Sequence, residues 1–158
     1  MTAAVKHTPD EMKKFLAEAI NEARKGLSEG GIPIGSVLVR NGEIIGRGHN
    51  RRVQNNNPTA HAEIECLKNA GRLNTYADTV LYSTLMPCAM CAGASVQFRI
   101  PLVVAGENKT FKSASDWMES MGTQVVDLDS DECYRMLQEF AKAHPDIWDE
   151  DIGIPTDK

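Results

Sequence analysis

The stretch TVLYSTLMPCAMCAGASVQFRIPLVVAG, residues 79–106, limits what this chain can fold into more than any other. Thr79–Leu85 is an apolar run of strand length, Pro87 opens a helix expected over Cys88–Phe98, and Pro101–Gly106 is a second apolar run. A strand, a crossover helix and a strand make a parallel pair. The chain is therefore committed to an α/β sheet with helices against it.

The flanking segments complete that sheet. Thr8-Pro9-Asp10-Glu11 carries a cap residue, a proline at the first helical position and a Glu three after the cap, so a helix is expected to start there and run to about Glu29. Met12, Leu16, Ala19, Ile20, Ala23 and Leu27 give it one apolar face. Pro33–Arg40 and Glu43–His49 surround Asn41-Gly42, a strong hairpin signal, and read as antiparallel strands. Arg51–Thr59 reads as a loop leading to a helix over Ala60–Ala70, with His61 in its first turn. A turn around Asp116–Ser120, a strand over Thr123–Leu128 and a last helix from Asp129-Ser130-Asp131-Glu132 to about His144 precede the tail PDIWDEDIGIPTDK. The expected architecture is a single three-layer α/β/α domain, residues 1–158, with a mixed sheet.

Four cysteines, Cys66, Cys88, Cys91 and Cys133, carry the next inference. Cys66 and Cys133 fall among apolar helical positions and are expected in the core. Cys88 and Cys91, three apart at a helix start, bring both sulfurs to one face, where free backbone amides favour thiolates. Such a pair serves either a thioredoxin-like redox step or a soft divalent cation. Catalytic zinc takes three protein ligands and a water, which the metal acidifies toward a hydroxide nucleophile; His61 is the candidate third ligand. Glu63, two residues further on, is placed to move protons rather than to bind metal.

Composition narrows the partners. A net charge of −5 weighs against a polyanion and for a small neutral or cationic substrate. The N-terminal residues lack an apolar signal core, and no run approaches a membrane span, so the expected location is cytoplasmic.

His-x-Glu opening one helix and Pro-Cys-x-x-Cys opening the next resembles the pattern of the zinc nucleobase deaminases. With GGIPIGS (Gly30–Ser36), GRGHN (Gly46–Asn50), TAHAEI (Thr59–Ile64), NAGRL (Asn69–Leu73), PCAMCAGA (Pro87–Ala94), VAGENKTFKS (Val104–Ser113) and WDEDIG (Trp148–Gly153), the chain is similar to the cytidine and cytosine deaminase superfamily, and within it to the small fungal-type cytosine deaminases. The resemblance implies a five-stranded mixed sheet, a homodimer and one zinc ion per subunit. It implies zinc on His61, Cys88 and Cys91, proton shuttling by Glu63, and hydrolysis of free cytosine to uracil and ammonia, as in pyrimidine salvage. Asn50 would hold the amide edge of the base, Asp151 would accept from the departing amine, and Phe111 and Trp148 would wall the ring. Ile34 would line the opposite side and Thr59 would stand near the metal. The tail, residues 145–158, mixes Trp148 and Ile152 with acids after the last helix and is expected to cover the pocket. Nucleic acid and membranes are not expected partners.

One position departs from that pattern. Met86 stands where the fungal pattern has serine before Pro-Cys, and a long side chain without a hydroxyl there changes the pocket if it faces inward. Another small amino-heterocycle, such as guanine, isocytosine, a pterin or creatinine, is the alternative substrate. A redox or structural zinc protein is the alternative of another class.

Overall fold

The structure is a computed structural model that describes residues 4–111 and 113–157; Lys112, inside the VAGENKTFKS motif, lies outside the described residues, as do residues 1–3 and Lys158. Helix α1 (Pro9–Ser28) begins with the expected capping box: Thr8 Oγ1 accepts from the Glu11 amide at 3.1 Å and Glu11 Oε2 accepts from the Thr8 amide at 2.7 Å. Strands β1 (Gly35–Arg40) and β2 (Glu43–His49) form the hairpin. Asn41 and Gly42 turn it with φ of 50° and 77°, the paired positive values that a two-residue type I′ turn needs. Then come α2 (Arg52–Asn55), α3 (Ala62–Ala70), β3 (Thr79–Leu85), α4 (Ala89–Gln97), β4 (Leu102–Glu107), α5 (Ser115–Ser120), β5 (Gln124–Asp127), α6 (Asp131–Ala143) and α7 (Pro145–Asp151).

The five strands lie in the order β2-β1-β3-β4-β5. β1 is antiparallel to β2 and β3, while β3, β4 and β5 run parallel. Strand side chains alternate between faces, and both faces are covered. Val37, Val39, Val80, Tyr82, Leu102 and Val104 pack with Phe15, Leu16 and Ile20 of α1 and Cys133 of α6. On the other side Leu38, Leu81, Val103 and Ala105 meet Cys66 and Leu67 of α3, Ala92 of α4 and Met118 of α5. This is the expected three-layer α/β/α arrangement, with Cys66 and Cys133 in its core.

The approach of α3 to the sheet depends on Gly48. An added Cβ there would collide with the backbone nitrogen of Cys66. A third cluster, Ile32, Ile34, Ala62, Leu85, Leu137, Phe140 and Trp148, joins α6 and α7 to the carboxyl end of β3. Two local expectations needed correction: the loop after β2 holds the short helix α2, and Leu27 is exposed rather than on the buried face of α1. The tail, to which the sequence assigned no element, forms α7 with Pro145 at its first turn.

Candidate functional site

Two helix beginnings converge beyond the end of β3. His61 is the N-cap of α3 and Cys88 the N-cap of α4, each with extended backbone, and Cys91 is the third residue of α4. The sequence reading placed His61 and Cys88 inside their first turns; both stand one step before them, among the amides that a helix start leaves unpaired. His61 Nδ1 lies 3.5 Å from Cys88 Sγ and 3.7 Å from Cys91 Sγ. Tetrahedral zinc with ordinary bond lengths sets such donors roughly 3.5–3.8 Å apart. The separations fit, and all three donor atoms fall within 4.8 Å of one another.

The protein groups alone already divide their protons unevenly. A hydrogen bond from Cys91 draws the Cys88 thiol down to about 4 against its burial, with His61 adding to the effect. The same bond and burial push Cys91 well above the usual thiol value. Burial works against a charged His61, but Asp151 and Cys88 outweigh it and lift the imidazole to about 10. A metal ion entering here displaces the remaining protons.

Glu63, the second residue of α3, stays outside this donor group. It is buried and accepts from Ser83 Oγ at 2.9 Å. Burial raises its pKa, and the nearby Cys88 sulfur adds to the rise. A buried carboxyl whose pKa is raised is suited to taking up and passing on a proton.

Asn50 and Asp151 supply the other polar groups. Asn50 is fully buried; its Oδ1 accepts from the Arg52 amide at 3.0 Å, and its Nδ2 is buried with no hydrogen-bond partner. The sequence reading gave Asn50 both a donor and an acceptor for a ligand. One lone pair of the acceptor is taken, and the unpaired donor is the group left most in need of a partner. Asp151 ends α7 with its Oδ1 3.0 Å from His61 Nε2.

These residues line one cavity of about 300 Å³, at the small end of ligand pockets. Its walls include Ile34, Phe111 and Trp148 beside His61, Glu63, Cys88, Asn50 and Asp151. Met86 does face it, while also packing in the core cluster with Leu38 and Leu81. Thr59 does not line it: the residue is exposed, and its amide and hydroxyl both donate to Asn57 Oδ1 at 2.9 Å. Contributors that went unread in the sequence include Leu85, Pro58, Ala62, Ala89 and Met90 in the wall and Ser83 on Glu63. Ser83 was the findable one, a polar residue within the apolar strand TVLYSTL.

Fold and donor set together define a zinc-binding α/β/α domain with a small pocket. The model of the cytidine and deoxycytidylate deaminase zinc-binding region matches residues 9–107, and the chain belongs to that family. It is 42% identical over 144 residues to the cytosine deaminase of Candida albicans, a match covering 89% of this chain and 96% of that one. It is 43% identical over 109 residues to the tRNA-specific adenosine deaminase of Streptococcus pyogenes serotype M18, covering 66% of this chain and 69% of the other. Among solved structures, a tRNA:A34 deaminase superposes with a TM-score of 0.62 at 31% identity, over 74% of this chain and 98% of that one. No helix among the described residues is long and apolar enough to cross a membrane.

Proposed function

We propose that this protein hydrolyses free cytosine to uracil and ammonia, serving pyrimidine salvage in the cytoplasm. The observation that carries the reading is the cover: α7 lies beyond the family-matched span and brings Trp148 and Asp151 over the donor group, leaving room for a small ring. The near full-length similarity to a cytosine deaminase supports the same choice.

His61, Cys88 and Cys91 would hold the zinc ion, which supplies a Lewis acid and an acidified water when bound. The ring would lie between Phe111 and Trp148 on one side and Ile34 on the other. Asn50 Nδ2 would donate to the ring carbonyl, matching a donor that has no protein partner. Glu63 would take a proton from water, give it to the ring nitrogen beside the target carbon, and carry a second to the departing amine. Asp151 would accept from that amine as the carbon–nitrogen bond breaks.

The cover also argues for a free base over a nucleic acid. Asp146, Asp149 and Glu150 lie on one seven-residue helix, and phosphates approaching it meet like charge. A homodimer is part of the same proposal. Met90 on α4, Phe98 at its end, Trp117 on α5 and Met121 just after it are all exposed, an apolar surface suited to a second copy.

The test is ammonia release from cytosine, cytidine, guanine, isocytosine, a pterin, creatinine and a tRNA anticodon stem-loop. Cytosine is expected to react fastest and cytidine poorly. Release from guanine or from the RNA without release from cytosine would overturn the assignment.

A further inference from the structure

Arg52 stands behind the pocket, outside its lining, yet it touches both polar ends of it. Its backbone amide donates to Asn50 Oδ1 at 3.0 Å, the bond that turns Asn50 Nδ2 toward a ligand. Its guanidinium reaches the other way. Nη1 donates to the carbonyl of Pro58 at 3.0 Å, three residues before His61, and Nε lies 3.8 Å from Glu150 Oε2 and 3.9 Å from Asp151 Oδ1. Arg52 Nε is a buried atom without a hydrogen-bond partner, and the Asp151 Oδ1 it faces already stands 3.0 Å from His61 Nε2. Opposite charges left facing each other out of water attract strongly, and an unmade buried bond is costly.

We infer that Arg52 is a positioning residue that straps α7 to the His61 loop and sets the Asp151 carboxylate between its own guanidinium and the imidazole. The inference rests on the proposed role of Asp151 at the pocket but not on which base is the substrate. Without the strap, α7 is held mainly by Trp148 and its apolar neighbours, which keep the helix docked but let it open more often and leave the carboxylate unfixed. Lysine could supply the charge but not the planar fork that serves Pro58 and the carboxylates together.

Two measurements on the zinc-loaded chain test this. The first needs no substrate: amide hydrogen exchange across residues 145–151 in Arg52→Met is expected to speed up about tenfold while β3 stays protected, a local opening rather than unfolding. The second is a kinetic cycle on whichever base the protein turns over. Arg52→Met is expected to lower kcat about tenfold. Combined with Asp151→Asn it should add nothing beyond Asp151→Asn alone, because Arg52 works through that carboxylate. Arg52→Lys should recover part of the loss, and it carries the test should Arg52→Met not fold. Unchanged exchange in α7, or losses that multiply fully in the double variant, overturns the inference. Inactivity of the wild-type chain on every base would count against the proposed function and leave the exchange result standing.

Discussion

His61 Nε2 and Asp151 Oδ1 stand 3.0 Å apart, joining the start of α3 to the end of α7. The other ring nitrogen faces the two sulfurs, so one imidazole connects the metal-binding group to the pocket cover. A carboxylate behind a ligating histidine fixes its tautomer and its ring plane. Asp151 thus bears on the ligand set as well as on the proposed substrate.

Asp151→Asn is expected to weaken zinc affinity or turnover by about 10–100-fold while leaving the fold intact. Zinc competition against a chelator, read beside kcat and a melting curve, checks it. Equal affinity and equal turnover in the variant would show that the contact has no role.

Glu63→Ala should retain zinc and lose turnover by about 10²–10⁴-fold, the usual worth of a positioned acid–base group. Metal content and single-turnover rates on the same preparation separate the two effects. Because Ser83 holds Glu63 in place, Ser83→Ala should show a smaller loss of the same kind.

Far from the pocket, His7 Nδ1 lies 2.6 Å from the Tyr82 hydroxyl and its ring packs against Phe15. Burial holds the imidazole below its ordinary value of 6.5, against a smaller upward pull from Glu11. The unfolded chain therefore takes up that proton more readily than the folded one. Stability from this group is complete above pH 6.5 and declines as pH falls toward the lowered folded value. Melting curves from pH 7.5 downward should show the decline, and His7→Gln should flatten it; an equal slope in both proteins would refute the link.

Gly48→Ala should destabilise the chain by about 1–3 kcal/mol, as overpacking does, because α3 has no room to keep its distance from β2. Since α3 carries Glu63 and starts at His61, zinc affinity should fall with stability. Denaturant unfolding and chelator competition would reveal the two together, whereas a variant as stable as the parent would mean that the helix can shift freely.

What the sequence disclosed was mostly local. The Thr8–Glu11 box, the Asn41-Gly42 turn and the Cys88/Cys91 spacing each express geometry within a few residues, and each is found in place. Helix α7 escaped because Ile147 and Trp148 are adjacent apolar residues among acids, too few to show a helical period. The bond from the Arg52 amide to Asn50 Oδ1 escaped for another reason: it depends on how the chain turns after β2. Thr59 stays near His61, from whose amide its carbonyl accepts at 2.8 Å, but its hydroxyl donates to the Asn57 side chain and it does not line the pocket. The contact of Ser83 with Glu63, and of Asp151 with His61, needs the whole sheet to bring distant segments together.

The matched span, residues 9–107, contains Asn50, His61, Glu63, Cys88 and Cys91, whereas Phe111, Trp148 and Asp151 all follow it. The zinc-donor group and the far walls of the pocket thus lie on consecutive lengths of chain, joined where His61 meets Asp151. An exchange of the rear length would reshape the wall made by Phe111 and Trp148 while leaving His61, Cys88 and Cys91 where they stand.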